Sequence, residues 1–223
     1  MDLSKSYEFL KPDMVTDRIH IIGCGAVGST LAENLARFGL TKITLHDFDT
    51  VEPKNIANQM FTAEDIGSLK VDALARYLQR INPMIKNDLT VNTEGWKPTT
   101  KLTGHVFLCV DSIDLRREIT EACFCNPLVK TIWDFRVGLE TAQHYATDKS
   151  PQLMKRFRSS MNFTHEEARE SSPVSACNEV LSVCPTIRTI VAAGVSNFVN
   201  LMKGGRMFGS IEIDAFNFRI LTI

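Results

Sequence analysis

The stretch from Arg18 to Ser29, RIHIIGCGAVGS, restricts the fold more than any other part of the chain. A short apolar run ends in glycines, and Leu31, Leu35 and Phe38 then follow at helical spacing before Gly39 closes the pattern. This predicts a buried strand over 18–23 and a helix over 29–38, joined by a glycine turn. A strand that feeds a helix through so short a turn opens a βαβ unit, and such a unit needs a parallel sheet.

The alternation continues through the first half. Strands are expected at 41–47, 89–91 and 104–110, and helices at 64–78, with Ile66, Leu69, Leu74 and Leu78 on one side, and at 113–124. The second half changes character. Residues 129–138 and 140–147 read as consecutive strands, 148–183 as polar and irregular, 186–202 as a long helix stopped by Gly204 and Gly205, and 206–223 as a hairpin around Asp214 to Asn217. The expected class is α/β: a doubly wound, Rossmann-like mixed sheet, parallel in the N-terminal half, with antiparallel strands added in the C-terminal half. At 223 residues, one domain over 1–223 is expected, with 1–17 as an N-terminal extension and 148–185 as an irregular crossover loop region.

Charge and composition remove several classes. A net charge of −1 gives no electrostatic footprint for nucleic acid or an anionic membrane surface. The most apolar long stretch, 185–203, carries Arg188, Asn197 and Asn200 and is short for a bilayer span, and the first residues lack the apolar core of a signal peptide. The chain therefore reads as cytoplasmic, with its six cysteines reduced. No Cys-x-x-Cys pair is present, which argues against a zinc site.

The glycine turn, Gly23 to Ser29, fits G-x-G-x-x-G. In that pattern the first glycine allows the tight turn, the second (Gly25) lets a phosphate approach the backbone, and the third (Gly28) lets helix pack on strand. The helix N-terminus then offers free N–H groups and a positive dipole end to an anion. Asp47 ends the second strand about 20 residues further on, where an acid accepts ribose hydroxyls. Asp49 competes as a cap of the next turn. Lys70 stands near a helix start, where it could meet a phosphate as a point charge. Asp111 follows the fourth strand, at the carboxyl edge where open α/β sheets bind ligands. It suits Mg²⁺ held against phosphates, or alternatively an N-cap, with Ser112 as the competing cap. Arg116 reads as an anion contact or a helix-surface residue. His105 and His144 are single histidines in strand patterns and read as structural.

Taken in order, these pieces resemble the ThiF/MoeB-like adenylating enzymes, relatives of ubiquitin-activating enzymes. The resemblance rests on GxGxxGS at Gly23 to Ser29, D-F-D-x-V-E-x-x-N at Asp47 to Asn55, Gln59, D-I-G-x-x-K ending at Lys70, I-N-P at Ile81 to Pro83, and Asp111. It implies ATP and Mg²⁺ as cofactors and adenylation of a C-terminal carboxylate, on a ubiquitin-like or sulfur-carrier protein or a peptide. It further implies that Gly23, Gly25, Ala26 and Gly28 line the nucleotide, that Asp47 and Asp49 serve the ribose side, that Asn55, Gln59 and Lys70 approach the phosphates, and that Asp111 holds Mg²⁺. Where the family commonly shows Arg-Gln, this chain has Asn58-Gln59. Some relatives carry a thioester-forming cysteine after the core; Cys177 and Cys184 fall in that region, Cys184 at a helix start where the dipole favours a thiolate. A homodimer is expected from the family, with Ala192, Ala193 and Gly194 permitting close packing on a second subunit. Two other readings fit fewer features: a nucleotide-binding scaffold without catalysis, and an NAD-dependent oxidoreductase.

Overall fold

The computed structural model describes residues 1–170, 173–176 and 180–223. The first half contains β1 (Ile19–Ile22), α1 (Ala26–Arg37), β2 (Ile43–His46), α2 (Lys70–Ile81), β3 (Thr90–Asn92), β4 (Gly104–Leu108) and α3 (Ile113–Cys125). The second half adds β5 (Val129–Val137), β6 (Thr141–Thr147), α4 (Pro151–Ser159), α5 (His165–Glu170), α6 (Cys184–Met202), β7 (Ser210–Asp214) and β8 (Arg219–Thr222).

The strands form one eight-stranded sheet in the order β3-β2-β1-β4-β5-β6-β7-β8. Pairing is parallel from β3 through β5 and antiparallel from β5 to β8. The expected mixed sheet is what the chain adopts. Its fully buried central strands explain the continuous apolar runs at β1 and β4. Helices cover both faces. Leu31 and Leu35 of α1, Leu74 and Leu78 of α2 and Ile190 and Phe198 of α6 pack in the larger core cluster with Ile21, Leu45 and Phe107. Ile119 and Cys123 of α3 and Phe157 of α4 pack in the smaller one with Ile22, Val106 and Ile132.

Three expectations are corrected. The helix expected over 64–78 begins only at Lys70. Residues 63–65 form a 3-10 turn closed by the Asp65 carboxylate, which accepts the Thr62 N–H at 2.9 Å. Gly67 (φ 85) then reverses the chain, its N–H reaching Val51 O and the Lys70 N–H reaching Asp49 O, so Ile66 points outward, 45% exposed. Residues 148–183 are not wholly irregular, because α4 and α5 lie within them. Pro151 at the first helical position and buried Phe157 are the sequence signals for α4. Of the small residues of α6, Gly194 packs inward, buried, with a Cβ there 2.3 Å from the Phe135 ring of its own sheet, while Ala192 is exposed and Ala193 half-buried.

Candidate functional site

The site is built at the carboxyl ends of β1, β2 and β4. Gly23 (φ 93) leaves β1 in the left-handed region, and a Cβ on it would lie 2.6 Å from Cys109 O, just past β4. A Cβ on Gly28 would come within 1.9 Å of Gly23 O. The loop therefore packs backbone against backbone. Gly25, the N-cap of α1, is different, since nothing lies within 4 Å of where its Cβ would be. The first turn of α1 thus opens onto free space, the arrangement that receives a phosphate at a helix N-terminus.

Asp47 is buried and accepts two backbone N–H groups, Cys24 at 2.6 Å and Asp49 at 2.8 Å. It ties the glycine loop to the turn after β2. Burial pushes its carboxyl pKa up, while those hydrogen bonds and Lys70 pull it down. Asp49 is half exposed and pairs with the Lys70 Nζ at 2.8 Å, whose side chain is only 10% exposed. Asn55 is buried and its Oδ1 accepts the Glu52 N–H at 2.8 Å. Gln59 Oε1 is buried without a hydrogen-bond partner among the described residues. The Met60 N–H, donating to Ser29 Oγ at 3.2 Å, holds this segment against α1.

Asp111 follows β4, is exposed, and makes no hydrogen bond or ion pair among the described residues. The α3 cap falls to Ser112, whose Oγ accepts the Leu115 N–H at 3.3 Å. That corrects the capping alternative for Asp111 and leaves its carboxylate available. Among the described residues no group of three or more His, Cys, Asp or Glu side chains could hold a metal. A single carboxylate suits Mg²⁺ shared with substrate phosphates, so Asp111 fits that ion and the orphaned Gln59 Oε1 and open Gly25 fit a nucleotide.

Arg116 is neither a surface residue nor a free anion contact. It is buried, bonded to the Asp134 carboxylate and to Val110 O. Asp134, fully buried in β5, also receives Arg136 at 2.7 Å, and Arg136 reaches Ser160 and lies over the Tyr145 ring at 4.6 Å. The charged pair inside the apolar run TIWDFRV was the sequence signal for this network. Asp111, Arg116 and Arg136 all line a groove of about 1560 Å³ that continues over β6, β7 and β8. His105 and His144 are buried and hydrogen-bonded, to Thr131 Oγ1 and Asp134 O.

The remaining site candidates divide. Cys177 lies outside the described residues. Cys184 does start α6, but its thiol donates to Ala57 O at 3.2 Å. Asn58 Nδ2 donates to Ser182 Oγ at 2.7 Å. The segment entering α6 is therefore held on the turn that follows Pro53.

The family model described as "ThiF family" matches residues 11–199. Over 142 residues the chain is 34% identical to ubiquitin-like modifier-activating enzyme 5 of Drosophila persimilis, covering 55% of this chain and 35% of that one. Over 141 residues it is 34% identical to the Bombyx mori protein of the same name, covering 55% and 34%. The match takes in about a third of the length of these relatives. Among solved structures, Escherichia coli MccB with ATP superposes with a TM-score of 0.74 at 15% identity, covering 95% of this chain and 65% of that one. PaaA gives 0.70 at 16%, covering 96% and 66%. At such identities the likeness is one of fold. The ordered motifs, the sheet that carries them and a family match over residues 11–199 agree, and the chain belongs to the ThiF family.

Proposed function

We propose that the chain is an ATP-dependent adenylyltransferase that activates the C-terminal carboxylate of a ubiquitin-like or sulfur-carrier protein, or of a peptide, as an acyl-adenylate. One observation carries the reading: Asp111 stands two residues past Cys109, on which Gly23 of the glycine loop packs, and also lines the groove. Adenylation needs a carboxylate and an α-phosphate to meet at one point. The relatives support the choice of substrates, since MccB structures are described with ATP and with MccA, and the curated relatives are named as ubiquitin-like modifier-activating enzymes.

The phosphates lie on the first turn of α1 at Gly25 and Ala26, between Gly23 and Gly28. Lys70 exchanges its Asp49 partner for phosphate oxygens, which frees Asp49 beside Asp47 for the ribose hydroxyls. Asn55 and Gln59 orient the polyphosphate by hydrogen bonds. Mg²⁺, when bound at Asp111, neutralises the phosphate charge. An acceptor carboxylate oxygen attacks the α-phosphorus and pyrophosphate leaves. The residues contribute positioning and charge neutralisation, the two terms that dominate phosphoryl chemistry.

ATP–pyrophosphate exchange with a panel of candidate C-terminal acceptors tests the reading. Exchange should require an acceptor and fall by roughly 10²-fold or more in Asp111→Ala and Lys70→Ala. Absence of exchange with every acceptor, while calorimetry still detects ATP binding, would refute catalysis. A second reading, a nucleotide-binding scaffold, is favoured by Asn58, which spends its amide on Ser182. On that reading wild type shows no exchange and Asn58→Arg restores it.

A further inference from the structure

We infer that Arg188 of α6 holds the β- and γ-phosphates of the bound nucleotide. This rests on the function proposed above and adds to that site a residue from outside its motifs. The start of α6 lies on the turn that follows β2. Asn58 Nδ2 donates to Ser182 Oγ at 2.7 Å, the Cys184 thiol donates to Ala57 O at 3.2 Å, and Arg188 Nη2 reaches Met60 Sδ at 4.0 Å. The Met60 N–H donates to Ser29 Oγ at 3.2 Å, and the Ser29 N–H to Gly25 O at 2.9 Å. A continuous chain of contacts therefore runs from Arg188 to the open first turn of α1, past Gln59 with its orphaned Oε1. Ile187 and Ile190 are buried in the core, whereas Arg188 is exposed. Core packing fixes the rotation of α6 and so keeps the guanidinium on the side of the turn.

The two faces of the sheet say which phosphates these are. Ile211 and Ile213 of β7 pack in the same core as α1 and α6, while Glu212 between them lines the groove on the opposite face. The turn at Ala57 to Met60 sits on α1 and α6, away from the groove. In the proposed reaction an acceptor oxygen forms a bond to the α-phosphorus, and the bond from that phosphorus to pyrophosphate breaks with its electron pair on the leaving oxygen. Attacking and leaving oxygens stand in line. An acceptor that arrives from the groove and Asp111 therefore directs the pyrophosphate towards the other face, where Arg188 stands. A guanidinium suits that end of the nucleotide, since it is always charged and bonds phosphate oxygens bidentately. The Met60 thioether supports the apolar stem and is a weak acceptor, so a phosphate oxygen displaces it readily.

The test is calorimetry of the whole chain with ATP·Mg²⁺ and with AMP, comparing wild type, Arg188→Gln and Arg188→Lys. Arg188→Gln should weaken ATP·Mg²⁺ by about tenfold or more and leave AMP unchanged. Arg188→Lys keeps the charge without the planar fork and should recover part of the loss. Because Arg188 is exposed, both variants should melt at the wild-type temperature when no nucleotide is added. Unchanged ATP affinity in Arg188→Gln, or an equal loss for ATP and AMP, would overturn the inference and leave Arg188 as a surface residue resting on Met60. Failure of wild type to bind ATP at all would overturn the nucleotide site and this assignment together. The binding comparison does not depend on turnover. An ATP-selective loss in a chain that exchanges pyrophosphate with no acceptor therefore upholds Arg188 and refutes adenylation alone.

Discussion

Three glycines in seven residues have unequal duties. Gly28 is a packing residue: any Cβ would collide with Gly23 O, so Gly28→Ala should cost about 3 kcal/mol in urea unfolding. Gly25 is an open position by the same measure, with an ordinary φ of −73° and free space where a Cβ would stand, and we propose that it faces the nucleotide. Gly25→Ala should change stability by about 1 kcal/mol or less and weaken ATP binding measured by calorimetry. Equal losses of stability in the two variants would show that the loop is purely structural. The contrast was invisible in the motif, which marks both positions as glycine for the reasons common to any nucleotide fold.

Among the elements, α6 has the closest fit to the sheet. Its Ile187, Ile190, Val191 and Phe198 are buried, and the ring of Phe198 meets Phe107 and Trp133 edge-on at 5.4 Å. Gly194 lets the helix sit directly on Phe135. Gly194→Ala should therefore destabilise the chain by about 1–3 kcal/mol in a denaturant titration, through overpacking. A neutral or stabilising result, the usual effect of Gly→Ala in a free helix, would contradict the packing of Gly194 on Phe135. Loop ends matter at this scale too. Lys149 donates to Asn126 O at 2.7 Å and to Val129 O at 2.9 Å, tying the turn after β6 to the end of α3.

The whole molecule stores a pH dependence in its buried histidines. His20 of β1 and His46 of β2 meet at 3.0 Å, and burial pushes their pKa values down to about 3 and about 4. Burial likewise lowers His105 and His144 to about 4. All four stay neutral in the folded chain, whereas in the unfolded chain they bind protons below about pH 6.5. Their contribution is therefore fully present above pH 6.5 and is lost as pH falls towards 4, by about 1.4 kcal/mol per histidine per pH unit. Thermal melts should hold steady from pH 8 to 7 and drop steeply between 6.5 and 4. A melting temperature unchanged down to pH 4 would contradict burial of these rings. The Asp134 network joins α3 and β5 to Ser160 through Arg116 and Arg136.

The fold class was legible because burial writes a period into the chain. Buried parallel strands must be continuously apolar, crossover helices must show a stripe, and turns between them must carry glycine, so β1, α1, β4 and the late helix were readable from local order. The candidate nucleotide-side residues come together for a related reason: Gly23 to Ser29, Asp47 and Lys70 are held by contacts within one βαβ unit and its return turn. Local pattern failed where a distant group decided the outcome. The start of α2 depended on residues 66–70 pairing back to Asp49 and Val51. Asp111 was separated from the cap role only by the geometry at Ser112, and Arg116 from a surface role only by Asp134 on the neighbouring strand. The groove was beyond local reading altogether, since its charges come from β5, β7 and β8, from α3 and α5, from the turn at Glu140 and from Asp111. Spacing along the chain fixes which face a side chain takes, but the company it keeps across the sheet depends on strand order and register, and those exist only once the chain has folded.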